Sequence, residues 1–162
     1  MPTRLALAAL LASLALTGCS DEPEATRDDT GAVATEGSVD AFDVAVGDCV
    51  NDPEGIDSEE GAVFDSIEAV PCDEPHDNEI YHQFDLPDGD YPGDDAVFEA
   101  AGVECEEQFE SFIGVSFEES ALDIAPITPT KESWELDDDR TATCAVYDPA
   151  GPVTGTLEGS KR

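Results

Sequence analysis

Four cysteines constrain the globular part of this chain more than any other feature. They are Cys49, Cys72, Cys105 and Cys144, and a fifth, Cys19, stands apart near the N-terminus. An even number of cysteines in an exported chain indicates disulfides, and four cysteines allow three pairings. We favour Cys49–Cys72 and Cys105–Cys144, because each closes a moderate loop between neighbouring elements. A structural zinc site is a poor alternative, since the sequence lacks a Cys-x-x-Cys pair.

The N-terminal residues have the form of a lipoprotein signal peptide. Arg4 precedes a run of Leu and Ala from Leu5 to Leu16, which is too short to span a bilayer. Leu16-Thr17-Gly18-Cys19 has the form of a lipobox, in which the Cys19 thiol takes a diacylglycerol. We therefore expect residues 1–18 to be removed and Cys19 to anchor the protein on the extracytoplasmic face of the cell membrane. An ordinary secretory signal is the alternative.

The charge of the chain limits its partners. The sequence has 40 acidic and 6 basic residues, a formal net charge of −34. Nucleic acid and anionic lipid head groups would be repelled, so we expect contact with the membrane through the lipid anchor only. Cations and basic protein surfaces are the favoured partners, although a solvated acidic surface gives the same composition.

The composition predicts two regions after the signal peptide. Residues 19–40 comprise the lipidated cysteine and an acidic stretch without aromatic residues or apolar periodicity, which predicts a disordered tether with a reach of roughly 25 Å. Residues 41–160 carry the alternating and periodic patterns of a folded domain. We predict an α+β fold, a small antiparallel sheet with one main covering helix, stapled by two disulfides.

The helix is predicted over 94–113. It is capped by Asp94 or Asp95 and ended by Gly114, and its apolar stripe consists of Phe98, Ala101, Cys105, Phe109 and Phe112. Strands are expected where apolar and polar residues alternate or β-branched residues gather, with those on either side of the 73–77 turn forming a hairpin. The predicted strands are one that starts at Phe42 and enters a turn at Val46-Gly47-Asp48, Val63–Cys72, Asn78–Leu86, an irregular strand near Leu122–Ile127, Thr141–Tyr147 and Val153–Leu157. One helical turn is predicted from Thr130.

Several short motifs resemble those of the septum formation family of actinobacterial exported proteins. They are Val46-Gly47-Asp48-Cys49, Val70-Pro71-Cys72-Asp73-Glu74-Pro75-His76-Asp77-Asn78-Glu79, Tyr91-Pro92-Gly93, Pro129-Thr130-Lys131-Glu132-Ser133-Trp134 and Asp139-Arg140-Thr141-Ala142-Thr143-Cys144. The resemblance extends from about Gly47 to Gly159. It implies an envelope protein connected with cell division, and it carries over no catalytic residues.

Both histidines of the chain lie in the segment from Val70 to Leu86. His76 with Asp73, Asp77 and Glu79 could bind a divalent cation or serve in acid–base chemistry. The structural alternative, which we favour, is that His76 hydrogen-bonds a backbone carbonyl and fixes the turn. His82 shares strand parity with Ile80 and Phe84 and is interpreted as a partly buried packing residue.

The remaining candidates are weaker. The acidic loops Asp52–Asp57, Asp88–Asp90 and Asp137–Asp139 could bind calcium weakly but do not fit an EF-hand, so no cofactor is expected beyond a weakly bound divalent cation. Trp134 is either a recognition aromatic or a core residue. No nucleophile pattern is present, and we expect no enzyme. The sequence favours an envelope interaction protein with an unknown envelope or division partner, over a cation- or small-ligand-binding lipoprotein and an envelope hydrolase.

Overall fold

The computed structural model describes residues 23–51 and 66–162. Its elements are β1 (Thr26–Arg27), β2 (Val33–Thr35), β3 (Gly37–Asp40), β4 (Cys49–Asn51), β5 (Ser66–Val70), β6 (Asn78–Asp85), α1 (Asp94–Ile113), β7 (Asp123–Ile127), α2 (Lys131–Leu136) and β8 (Thr141–Tyr147). The central sheet is antiparallel, with its strands in the order β3, β5, β4, β6, β8 and β7. β1 and β2 form a separate ribbon.

Helix α1 covers one face of the sheet with the predicted bounds, and this confirms the α+β fold. Gly114, in the left-handed conformation with φ of 91°, ends it as expected. The predicted cap is wrong, because Gly93 and not Asp94 or Asp95 is the N-cap. Both aspartates lie in the first turn, where their negative charges interact favourably with the helix dipole. The predicted stripe is partly wrong, because Phe98 is 56% exposed. The buried residues of α1 are Val97, Ala101, Cys105, Phe109 and Ile113.

The opposite face is covered by a segment that the sequence predicted to be a disordered tether. That prediction is wrong for residues 23–40, because β3 pairs with β5 along its whole length. Val33 and Val39 pack in the apolar cluster on this face, and Arg27 binds the buried Asp48 carboxylate at 2.5 and 2.7 Å. Gly37 permits the packing, since a Cβ there would lie 2.5 Å from backbone atoms of residues 23 and 25. Residues 19–22 lie outside the described part.

The predicted hairpin between β5 and β6 is also wrong, because β4 lies between them. Cys49 pairs with Val70 on one side and with Glu79 on the other. The predicted strand from Phe42 is a 3₁₀ turn at its start, over Ala41–Asp43, because the Asp40 side chain accepts a hydrogen bond from the Phe42 amide. The beginning of the predicted second strand, residues 63–65, lies outside the described residues.

Strand β6 contains a bulge that changes which side chains face the helix. Ile80 pairs with Ala145 and His82 with Cys144, so Tyr81 is the extra residue. Ile80 packs in the cluster away from α1, whereas Tyr81 packs against α1. The prediction that Ile80 and His82 share a face is therefore wrong. His82 remains partly buried, with its ring stacked on Phe84.

The two favoured disulfides are confirmed. Cys105–Cys144 joins α1 to β8, and Cys49–Cys72 joins β4 to the turn after β5. The Tyr81 hydroxyl donates to the Cys105 carbonyl at 2.6 Å, and burial raises the pKa of Tyr81. The helical turn capped by Thr130 is present as α2. The predicted strand over 153–157 is reduced to one bridge, between Val153 and His76.

Candidate functional site

The segment after β5 turns back across the end of the sheet and carries the predicted histidine site. A tight turn closes with the Glu74 amide donating to the Pro71 carbonyl at 2.8 Å. The disulfide holds this turn against β4. Cys49 is fully buried, whereas Cys72 is half-buried. The turn therefore places His76 under the sheet end and leaves Cys72, one of the two residues of the disulfide, partly exposed.

His76 is completely buried. Its Nδ1 lies 2.9 Å from the Glu74 carbonyl oxygen, and because a carbonyl only accepts, Nδ1 carries the proton. In the neutral ring this leaves a lone pair on Nε2, and Nε2 has no hydrogen-bond partner among the described residues. The His76 backbone exchanges two hydrogen bonds with Val153, both 2.9 Å. His76 therefore fixes the turn through a carbonyl, as the structural interpretation predicted, and also presents an unused ligand atom.

Glu79 is the second buried polar residue of this site, with 2% exposure. Its carboxylate accepts hydrogen bonds from the Thr156 hydroxyl at 2.5 Å and from the Leu157 amide at 2.6 Å. Within residues 23–51 and 66–162, no Lys or Arg forms a salt bridge with it. The C-terminal segment thus supplies the polar contacts that a buried carboxylate requires.

The structure brings only part of the predicted cluster together. Ligand atoms of Cys49, His76 and Glu79 all lie within 4.8 Å of one another. Asp73 is exposed, and neither it nor Asp77 belongs to this group. Cys49 was missed as a neighbour of His76, although the favoured disulfide to Cys72, four residues before His76, was a usable signal. In the structure its sulfur is occupied by that disulfide.

Trp134 is a core residue, so the structure does not place it where a partner could reach it. Its ring is 4% exposed, and its Nε1 donates to the Gly89 carbonyl at 2.9 Å. The Arg140 guanidinium lies 3.9 Å from the ring centroid, and Tyr91 packs edge-on. Burial, and then the hydrogen bond to Asp94, raises the pKa of Tyr91 to about 12. These contacts explain why the single tryptophan is retained inside.

The structure describes two of the three acidic loops that were considered for calcium binding. The 52–57 loop lies outside the described residues. Asp139 accepts from the Ser133 hydroxyl and the Thr141 amide, at 2.9 and 3.0 Å, which is a structural use of its carboxylate. Asp88 and Asp138 are exposed beside Arg140. Calcium binding at these loops stays a prediction.

A groove lies on the face of the sheet opposite α1, between the 3₁₀ turn and α2. Its volume is about 470 Å³, and it is lined by Gln83 and Thr143 of the sheet and by the apolar residues Phe42 and Leu136. Phe42 is 67% exposed and Leu136 73% exposed. Among the described residues its lining also includes four carboxylates and no basic side chain; these acids are Asp40, Glu132, Asp137 and Asp139.

A family model described as septum formation matches residues 46–160. No curated protein and no solved structure matches the chain. The matched residues include the turn with His76 and Glu79, both disulfides and α2, while β1, β2, β3 and Phe42 precede them. Among the residues that the structure describes, no helix combines the length and apolar character needed to cross a bilayer. Cys19 lies outside those residues.

Proposed function

Because the chain belongs to the septum formation family, we propose that it is a lipid-anchored interaction protein of the cell envelope that acts by binding rather than by catalysis. The lipobox ending in Cys19 supports anchoring on the extracytoplasmic face. Two disulfides support an oxidising compartment. The family description, septum formation, supports a connection with cell division.

The observation that carries the binding role is the acidic groove beside Phe42 and Leu136. Large apolar side chains that are mostly exposed, next to a concave surface, are typical of a protein interface. The carboxylates around these side chains attract positively charged partners and repel negatively charged ones. The groove therefore suits a cationic protein segment that inserts an apolar side chain between Phe42 and Leu136, with Lys or Arg beside the acids.

A photo-crosslinking amino acid at Leu136, in the native envelope, tests this role. The matched control is the same amino acid at Phe98, which is also exposed and apolar but lies on α1. We expect a discrete adduct from position 136, none from 98, and a crosslinked peptide of the partner that contains Lys or Arg. Equal labelling from both positions, or an acidic partner peptide, would contradict the groove as the binding surface.

Charge provides a second test of the same surface. Replacing Glu132 and Asp137, both exposed, by Gln and Asn should reduce the yield of the crosslink, because two charges that attract a cationic partner are removed. The yield should also depend less on salt concentration, since salt weakens the attraction between exposed charges. Glu99→Gln with Glu107→Gln on α1 is the control for net charge. A loss of crosslinking that is equal in both pairs would show that total charge, and not the groove, determines binding.

The anchor is tested independently. Cys19→Ser removes the atom that is lipidated, so the protein should move from the membrane fraction to the soluble extracytoplasmic fraction or remain unprocessed. Mass spectrometry of the wild type should find a diacylglyceryl group on Cys19. A processed Cys19→Ser variant that stays membrane-bound after a salt wash would overturn the proposed anchor.

A further inference from the structure

We propose that opening of the Cys49–Cys72 disulfide by a dithiol creates a site for a divalent transition metal of the zinc type. Its protein ligands are Cys49 Sγ, His76 Nε2 and the Glu79 carboxylate. The inference goes beyond the binding role proposed above and does not depend on it. The inference rests on two observations. Cys49 of the disulfide lies close to His76, and the buried Nε2 of His76 has no hydrogen-bond partner among the described residues.

The spacing of the three donors suits one ion. One ligand atom from each of Cys49, His76 and Glu79 already lies within 4.8 Å of the other two. Ligand atoms of a tetrahedral zinc site lie about 2.0 to 2.3 Å from the ion and therefore about 3.5 Å from each other. The donors therefore need to approach by about 1 Å, starting from the 4.8 Å limit. A fourth coordination position remains for water or another ligand.

The surroundings of the donors match those of metal ligands. A ligating histidine usually donates its other ring N–H to a carbonyl or carboxylate, which fixes the tautomer and the ring orientation. His76 does so through Nδ1 and the Glu74 carbonyl, and its buried Nε2 has no hydrogen-bond partner in the part of the chain that the structure describes. Glu79 is likewise held by Thr156 and Leu157. The second shell of the site is in place before a metal arrives.

The donor types select the metal. One nitrogen, one sulfur and one carboxylate suit zinc and its neighbours in the first transition series. Calcium and magnesium prefer oxygen ligands, in larger number than one carboxylate supplies. The site therefore differs in kind from the all-oxygen cation site that the acidic loops suggested.

The disulfide acts as the gate because its two cysteines differ in burial. A thiolate of the dithiol attacks the sulfur of Cys72, the half-buried residue of the pair, and the S–S electron pair leaves on Cys49, which is fully buried. The second thiol of the dithiol then resolves the mixed disulfide and releases Cys72. The dithiol is oxidised to a disulfide, and its two electrons and two protons reduce the protein to two thiols. Metal binding displaces the Cys49 proton to solvent.

Two variants, each with one free thiol beside the intact Cys105–Cys144 disulfide, test the proposal without a reductant. Cys72→Ser leaves the Cys49 thiol free next to His76 and Glu79. Cys49→Ser instead leaves the Cys72 thiol free, and Cys72 is not one of the three proposed ligands. Both lose the same disulfide, and both carry Cys19→Ser in the whole chain so that no other free thiol competes. Titrated with Co²⁺, the Cys72→Ser variant should show a thiolate-to-cobalt absorption band that Zn²⁺ removes. The Cys49→Ser variant and the oxidised Cys19→Ser protein should show none.

Ligand identity and folding are checked in the same background. Adding His76→Gln to the Cys72→Ser variant should weaken cobalt binding by about 10-fold or more, because a ligand is lost. If Cys72→Ser unfolds without metal, Zn²⁺ should restore its circular dichroism spectrum and should not restore that of Cys49→Ser. Equal cobalt spectra for the two cysteine variants, unchanged affinity with His76→Gln, or no zinc-dependent refolding of an unfolded Cys72→Ser would each overturn the site.

Discussion

The two disulfides of this protein lie in different environments. Cys105 and Cys144 are both fully buried and pack with Phe109 between the helix and the sheet. In the other pair Cys49 is buried near two polar side chains, and Cys72 is half-buried in a turn. The first bond lies in the apolar core, and the second lies at its polar edge.

If loop-closure entropy were the only contribution, the two disulfides would stabilise the folded protein by nearly equal amounts. Their sequence separations are 39 and 23 residues, and loop closure over such lengths is worth about 3.9 and about 3.4 kcal/mol. The difference is about 0.5 kcal/mol. A larger difference in stability would therefore measure the environment of the bond and not the length of its loop.

The largest effect is expected from removing the core disulfide. The pair Cys105→Ala with Cys144→Ala should destabilise the protein by about 4 to 5 kcal/mol, because lost packing adds to lost loop closure. The pair Cys49→Ala with Cys72→Ala should cost about 3 kcal/mol. Denaturant unfolding of both double variants measures the two values. Costs within about 0.5 kcal/mol of each other would mean that the environments contribute equally.

Glu79→Gln sharpens the comparison at the polar edge. The carboxylate accepts two short hydrogen bonds, and an amide can offer only one oxygen to Thr156 and Leu157. We expect a loss of about 2 kcal/mol, measured by chemical denaturation. Glu99→Gln, on the exposed surface of α1, should change stability by less than about 0.5 kcal/mol. Equal effects would show that the buried contacts add nothing.

The order of reduction tests accessibility directly. A limiting amount of a dithiol, followed by alkylation and mass spectrometry, should label Cys49 and Cys72 at least about 10-fold faster than Cys105 and Cys144, since exchange needs access to a sulfur. The ratio should shrink in a partly denatured protein. Simultaneous labelling of both pairs under native conditions would indicate that global unfolding exposes them together.

The smallest effect is expected from Thr156→Val, which removes one hydroxyl donor to Glu79 and keeps the shape of the side chain. We expect a cost of about 1 kcal/mol in thermal or chemical unfolding. Thr154→Val is the matched control, because Thr154 is an exposed threonine in the same segment. A larger effect from Thr154 than from Thr156 would contradict the assigned hydrogen bond.

Local patterns predicted the elements whose limits are set by residues close together in the sequence. The bounds of α1 follow from periodicity and Gly114, and those of β6 and β8 differ from the predicted ones by at most one residue. The placement of β4 between β5 and β6 depends on long-range pairing, which alternation does not encode. The bulge at Tyr81 is equally invisible, since one extra residue reverses the parity that the prediction assumes.

The site was predicted to a similar extent. His76 and Glu79 were candidate ligands because they are three residues apart in an acidic segment, and they do lie together. Thr156 and Leu157 could not be found, because they approach Glu79 only through the tertiary fold. The misread N-terminal segment has the same cause, since Val33 and Val39 are too few to form a periodic pattern but suffice to cover a sheet face.

The hydrogen bonds to Glu79 also set an order of events during folding. Its partners are 77 and 78 residues further along the chain. A chain is made from its N-terminus, so β6 exists long before residues 156 and 157 do. Until that segment docks, the Glu79 carboxylate is favoured in water and opposes closure of the sheet end. Because these contacts join residues far apart in the sequence, we expect docking of the 153–157 segment to be a late folding step that closes the turn with His76.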